Sequence, residues 1–149
     1  MADFAPPDDL LFNTGPVQDP AAYAKEVGAA SWLCLTGPEF AAMDGGLSFA
    51  AVAEAVPASA NVISDPPRVL DLDLARQHVA ALDALPRPTL VTCRSGPRAS
   101  AVVYMYSGLK AGASTEDVVA AVVRDGAPCA PSDECRTWIA DAMTALRAD

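Results

Sequence analysis

Residues 88–100 read Pro-Thr-Leu-Val-Thr-Cys-Arg-Ser-Gly-Pro-Arg-Ala-Ser. A short apolar run that ends at Cys93 predicts a buried strand, and a Gly-Pro turn then leads into a helix that opens at Ala99. The amides of a tight loop and of a helix N-terminus bind anions, and Arg98 adds a rigid fork of donors. A cysteine in this setting favours the thiolate, the reactive form. The alternative without any chemical role is a buried structural cysteine beside a surface arginine. The sequence predicts a nucleophile in an anion-binding loop formed by Arg94, Ser95, Gly96, Pro97, Arg98, Ala99 and Ser100.

Composition limits the classes of protein and partner. The chain has 149 residues, 52% of them hydrophobic, which suits one domain spanning 1–149. Its net charge of -9 argues against nucleic acid and anionic membranes as partners. The acidic start at residues 1–9 and the lack of a long apolar run predict a cytoplasmic protein without a targeting or membrane-spanning segment. Four irregularly spaced cysteines predict no disulfide framework, with Cys129 and Cys135 reduced, and a single histidine argues against zinc.

Short apolar runs alternate with helical patterns along the chain, which predicts a mainly parallel sheet flanked by helices. The expected strands lie at 12–15, 31–36 and 61–64, followed by the strand before Cys93. Helices are expected after the cap residues Asp19, Ser48, Asp71 and Ser114, after Pro131-Ser132, and from Ala99 onward. Ligands of parallel sheets bind beyond the carboxyl ends of the strands, which is where Cys93 falls.

The cysteine loop resembles the active-site loops of two families, the dual-specificity and tyrosine phosphatases and the rhodaneses. The segments 12–20 and 111–119 are similar to regions that flank the loop in dual-specificity phosphatases. The loop from Cys93 to Arg98 also looks like the Cys-Arg-Ser-Gly-x-Arg loop of a bacterial phosphatase-like domain, found alone or fused to β-lactamase-like hydrolases. The similarity extends over residues 11–146 and is strong over 90–103. It implies a dual-specificity-phosphatase-like α/β fold with Cys93 as nucleophile and Arg98 as phosphate ligand.

The loop also departs from the phosphatase pattern. Four residues separate Cys93 from Arg98, where phosphatases of this class have five, and four is the rhodanese spacing. A shorter ring of amides suits a persulfide sulfur better than a tetrahedral phosphate. Thr92 replaces the usual histidine, and Ala99 replaces the hydroxyl residue that helps the cysteine leave, a role Ser100 could take only if the helix start were rotated.

Other candidate residues have two interpretations each. Asp65 follows a predicted strand end and is the best general acid, but an aspartate before prolines is also common in turns. Arg94 either attracts anions at the pocket mouth or is simply solvated. His78 is expected at the surface or boundary, whereas Cys34, Trp32 and Trp138 are expected in the core.

Three hypotheses for function remain open at this point. In the first, a phosphatase-like hydrolase uses Cys93, Arg98 and Asp65 as catalytic residues on a phosphorylated substrate. In the second, a rhodanese-type sulfurtransferase accepts sulfane sulfur on Cys93 and needs no general acid. In the third, a non-catalytic module binds a small oxyanion or an acidic partner group. None requires a metal or cofactor, and the oligomeric state is left undetermined.

Overall fold

A four-stranded parallel sheet with helices on both faces forms the framework of the protein, described over residues 4–148 in a computed structural model. The strands are β1 (Leu10–Phe12), β2 (Ser31–Cys34), β3 (Ala58–Asn61) and β4 (Thr89–Thr92). The helices are α1 (Pro20–Val27), α2 (Pro38–Ala41), α3 (Phe49–Ala55), α4 (Leu72–Ala84), α5 (Pro97–Ala111), α6 (Thr115–Asp125) and α7 (Asp133–Ala148). The predicted α/β class with a parallel sheet is confirmed.

The strand order β1-β4-β2-β3 places β4 in the interior of the sheet, between β1 and β2. Side chains alternate between the two faces, as a strand requires. Leu90 joins an apolar cluster with residues of α1 and α3, while Val91 and Cys93 join a larger one with α4 to α7. The cysteine is therefore carried by a strand that is covered on both faces and fixed on both edges.

Helix α5 carries the loop's arginine and is surrounded by protein. Its residues 99–108 are all buried, as expected for a helix that is apolar all round. Pro97 occupies its first turn, a position that needs no N–H donor, so the helix begins two residues earlier than predicted. This shift brings Arg98 into the first turn of the helix, next to the cysteine loop.

Local signals placed the helix ends well and the strand ends less well. The side chains of Asp19, Ser48, Asp71 and Ser114 each accept a backbone N–H three residues on, as predicted. The predicted strand at 61–64 is wrong in its bounds, because β3 comprises the small, half-buried residues 58–61. Residues 62 and 64 still donate to the carbonyls of Cys34 and Leu35, so the segment extends the sheet irregularly. The predicted first strand at 12–15 likewise lies earlier, at 10–12.

The sequence predicts neither a targeting segment nor a membrane-spanning segment. Residues 1–3 of the acidic start, together with residue 149, lie outside the described residues. Within 4–148 no helix is both long and apolar enough to cross a membrane.

Candidate active site

The loop between β4 and α5 has a backbone that only glycine accommodates at one position. Gly96 has φ of 123°, a region that L side chains rarely adopt. A Cβ built there would lie 2.4 Å from the carbonyl oxygen of Asn13. Gly96 therefore permits both the turn and the close approach of the segment after β1.

The sulfur of Cys93 is the point on which the loop amides converge. It accepts hydrogen bonds from the amides of Gly96, at 3.1 Å, and Ala99, at 3.3 Å. The second amide belongs to the first turn of α5, whose N-terminus carries partial positive charge. Two N–H donors, one from the loop and one from the helix N-terminus, therefore point at this sulfur. The residue is 5% exposed and lines the pocket described below.

Asn13, directly after the neighbouring strand β1, fixes the backbone of Cys93. Its side-chain oxygen accepts the N–H of Cys93 at 3.2 Å, and its amide nitrogen donates to the carbonyl of Cys93 at 3.0 Å. Asn13 is 1% exposed, and its amide nitrogen also donates to Gly15. Sequence reasoning missed this residue, although a polar side chain immediately after an apolar edge strand was a usable signal.

Arg98 bridges three segments around the pocket. One terminal nitrogen, Nη1, donates to the carbonyl of Arg68 at 2.8 Å and also to the carbonyl of Ser64. The other, Nη2, lies 3.9 Å from the carboxylate of Glu134 in α7. With 13% of its side chain exposed, the guanidinium is held in place before any ligand arrives. A fixed cation of this type loses little entropy on binding an oxyanion.

Arg94 and Asp65 form a second fixed group at the pocket. The Nε of Arg94 donates to Oδ2 of Asp65 at 3.0 Å, and its Nη2 donates to the carbonyl of Pro66 at 2.8 Å. The guanidinium also lies over the ring of Phe40, 5.4 Å from its centroid. Of the two interpretations of Arg94, these contacts favour an arginine held at the pocket over a freely solvated one. Asp65 is 0% exposed and lines the pocket. The expectation that the strand before it neighbours the cysteine strand is wrong, because β3 pairs with β2 and β2 lies between β3 and β4.

A pocket of about 170 Å³ opens above the sulfur. Its walls are formed by Asp65, Pro66, Cys93, Arg94, Ser95, Pro97 and Arg98. A larger groove of about 750 Å³ lies between α7 and the segment before α4, but no cysteine or arginine lines it. The smaller pocket is the one in which a cysteine sulfur and two arginine side chains meet.

The hydroxyl of Ser100 bonds to two backbone groups. Its hydroxyl donates to the carbonyl of Pro97 at 2.9 Å and accepts the amide of Cys129 at 3.1 Å. Both groups are backbone, so the hydroxyl ties the start of α5 to the segment after α6. The contribution of Ser100 to anion binding stays a prediction.

The prediction for His78 is wrong. The side chain is 0% exposed, and its Nε2 lies 2.7 Å from the hydroxyl of Ser64. Burial lowers the pKa of His78 to about 3 and outweighs the charge of Asp71, which acts to raise it. The ring also packs edge-on against Trp138, with centroids 5.7 Å apart. The local sequence pattern of α4 does not indicate that His78 is buried. Its burial results from α7, which packs against the face of α4 that carries His78.

The other three cysteines have a different environment. All four cysteines are free thiols, and Cys34 is buried in the core as predicted. Burial raises the pKa of Cys34, of Cys129 and of Cys135. Within residues 4–148 no group of three or more His, Cys, Asp and Glu side chains is arranged to hold a metal ion.

Comparison with known proteins gives matches among solved structures alone. No protein-family model matches the sequence, and no curated protein matches it. Human DUSP28 superposes with a TM-score of 0.64 at 20% identity, over 95% of this chain and 96% of its own. The fold is that of the dual-specificity phosphatases. A DUF442 protein of Shewanella putrefaciens CN-32 gives 0.65 at 19% identity, over 97% and 88% of the two chains. The core catalytic domain of the PP-IP phosphatase Siw14 of S. cerevisiae, in complex with citrate, gives 0.62 at 14%, over 99% and 94%.

Proposed function

We propose that this protein is a cysteine-dependent phosphatase-like hydrolase in which Cys93 is the nucleophile. The observation that carries the proposal is the Cys93 sulfur, which accepts two amides at a helix N-terminus inside a pocket with two fixed arginines. The fold shared with human DUSP28 and Siw14 supports it. Cys93 would supply the nucleophile, and the amides of Gly96 and Ala99 together with Arg94 and Arg98 would supply the donors for a tetrahedral oxyanion.

The chemistry follows from these positions. The Cys93 thiolate attacks phosphorus, and a sulfur–phosphorus bond replaces the bond to the leaving oxygen. Arg98 and the loop amides bind the remaining phosphate oxygens, where charge is greatest in transfer. Water then attacks the phosphocysteine and releases phosphate and the thiolate. A free thiolate requires a reducing compartment, so the proposed location is the cytoplasm.

The four-residue spacing keeps rhodanese-type sulfur transfer as a second candidate. In that reaction the Cys93 thiolate takes the outer sulfur of thiosulfate, sulfite departs, and a thiol or cyanide then accepts the sulfur. The loop amides that contact the cysteine sulfur would also reach a persulfide next to it. Both candidates need Cys93, and they differ in the donor molecule.

One set of assays tests the proposal. Hydrolysis of p-nitrophenyl phosphate and sulfur transfer from thiosulfate to cyanide are measured in parallel on the same protein. Cys93→Ser should abolish hydrolysis, and Arg98→Ala should lower kcat/KM by roughly 100- to 1,000-fold, the usual effect of losing a key anion donor. Arg98→Lys should also be impaired, because the bidentate fork is lost.

Arg87→Lys is the matched control, since Arg87 pairs with Asp9 at the surface and does not line the pocket. It should behave as wild type. Full hydrolysis by the Cys93→Ser variant would overturn the proposal. Sulfur transfer from thiosulfate without phosphatase activity would also overturn the proposal, and the resemblance to phosphatases would then concern the fold alone.

A further inference from the structure

Among residues 4–148, Asp65 contributes the one carboxyl group of the pocket wall, and both of its oxygens accept hydrogen bonds. Oδ2 accepts from Arg94, and Oδ1 accepts from the amide of Gly37 at 3.1 Å and from Nη1 of Arg68 at 3.3 Å. Its side chain is 1% exposed. A general acid must present an O–H to the leaving oxygen within about 2.6–3.2 Å. Both oxygens of Asp65 are instead occupied by N–H groups of the protein.

The partner that Asp65 holds is a cation at the pocket. Arg94 follows the nucleophile directly, and its guanidinium is fixed by Asp65, by the carbonyl of Pro66 and by the ring of Phe40. Arg68 is in turn paired with Glu39 from α2, so the carboxylate of Asp65 joins α2, the segment after β3 and the cysteine loop. Removing such a carboxylate would take away one of the three contacts that hold Arg94 and would leave the guanidinium groups of Arg94 and Arg68 without the negative charge between them.

No other acid in the described residues replaces Asp65 in the pocket wall. Glu134 lies 3.9 Å from Nη2 of Arg98, but more than half of its side chain is exposed and it does not line the pocket. His78 is buried against Ser64 and does not reach the pocket either. Ser95 is the remaining polar side chain of the wall, and a serine hydroxyl is a poor proton donor at neutral pH.

We propose that Asp65 is a positioning residue that holds Arg94 at the pocket, and that the enzyme acts on phosphate carried by leaving groups that depart as stable anions. The substrate class comprises phosphoanhydrides, acyl phosphates and aryl phosphates, and it excludes simple alkyl phosphates. This inference rests on the proposed hydrolase function. It replaces the acid role expected for Asp65 with an electrostatic one.

The step balances without a proton donor. The Cys93 thiolate supplies the electron pair of the new sulfur–phosphorus bond. The phosphorus–oxygen bond breaks, and its electron pair leaves with the oxygen as a phosphate, carboxylate or phenolate anion. Water next forms a new oxygen–phosphorus bond, the sulfur leaves as thiolate, and the proton of the water passes to solvent.

The test is the dependence of rate on leaving-group basicity. We would measure kcat/KM at pH 7 for a series of aryl phosphates, from nitro-substituted phenols to phenol itself, whose pKa is about 10. Wild type, Asp65→Asn and Arg94→Ala are compared. Asp9→Asn, an exposed carboxylate paired with Arg87, is the matched control.

A positioning role predicts a steep fall of log kcat/KM with leaving-group basicity in wild type. The lines for Asp65→Asn and Arg94→Ala should run parallel to it, each lower by about 10- to 100-fold, as expected when a charge-assisted hydrogen bond is lost. The kcat/KM of the double variant should be no lower than that of the poorer single variant, because both substitutions remove the same Asp65–Arg94 interaction. Acetyl phosphate should be hydrolysed, and glycerol phosphate should not.

A general acid gives a different pattern. Wild type would show a shallow line, and the defect of Asp65→Asn would grow to about 100- to 10,000-fold for the poorest leaving group. That result would overturn this inference and leave the hydrolase intact. Absence of Cys93-dependent hydrolysis across the whole series would instead overturn the proposed function. If Asp65→Asn does not fold, the slope for wild type and the line for Arg94→Ala still distinguish a positioning role from a general-acid role.

Discussion

Replacing His78 by leucine should make the protein's stability less sensitive to acid. His78 is the chain's one histidine, so no other imidazole contributes. Burial lowers its pKa from 6.5 to about 3, and its Nδ1 has no hydrogen-bond partner within residues 4–148. Between about pH 6.5 and pH 3, His78 is therefore protonated in the unfolded chain but stays neutral in the folded protein. Stability is complete above pH 6.5 and falls as the pH drops toward 3.

The size of the effect follows from the same values. Each pH unit inside this window costs about 1.4 kcal/mol. Between pH 7.5 and pH 4.5, His78 should remove about 3 kcal/mol from the free energy of unfolding. The His78→Leu variant cannot take up this proton, so its loss over that range should be smaller than that of wild type by about 3 kcal/mol. Titrating carboxylates contribute to both proteins and cancel in the difference.

Urea unfolding followed by tryptophan fluorescence at four pH values gives the comparison. Leucine also loses the contact with Ser64, so the variant is expected to be less stable at pH 7.5, and only the change with pH is interpreted. His78→Gln, which keeps a side-chain donor but has no imidazole, is a second non-titrating variant. Equal pH dependence of wild type and both variants would refute the argument, because it would mean that folding does not change the proton affinity of His78.

Two further predictions concern the loop. Iodoacetamide at neutral pH should alkylate Cys93 before the other cysteines, because its sulfur accepts two amides whereas burial raises the pKa values of Cys34, Cys129 and Cys135. Peptide masses over time check the order, and earlier labelling of any other cysteine would count against the thiolate site. Gly96→Ala should lower stability by about 2 kcal/mol or more and abolish hydrolysis, since it adds a clash to a positive φ. Gly112→Ala, with φ of 67° and open space around it, should cost about 1 kcal/mol and spare activity, so similar losses in both would contradict the role of the close approach.

The features that the sequence predicted well depend on neighbouring residues. Helix caps such as Asp71 and Ser114 bond to amides three residues away, and the loop from Cys93 to Arg98 lies within six positions. Residue types and spacing encode such contacts directly. The alternation of strands and helices likewise sufficed for the fold class, because parallel strands require crossover helices.

Contacts between distant segments could not be predicted in the same way. Asn13 and Cys93 are 80 positions apart, and Arg94 and Asp65 are 29 apart. Both contacts depend on the strand order β1-β4-β2-β3, which local patterns do not specify. The burial of His78 depends in the same way on how α7 packs against α4.

The contact from Asn13 makes the position of the Cys93 backbone dependent on strand register. Strand β1 has three residues, aligned so that Phe12 lies opposite Val91, and Asn13 follows at the point where β4 leads into Cys93. A slip of one residue would exchange the faces of all side chains in β1 and turn Asn13 away from the loop. Such a molecule would keep most of its sheet and helices but would lose both bonds to the backbone of Cys93. Errors of pairing at this edge would therefore lower the fraction of molecules in a preparation whose Cys93 loop is held by Asn13, and would leave the remaining molecules unchanged.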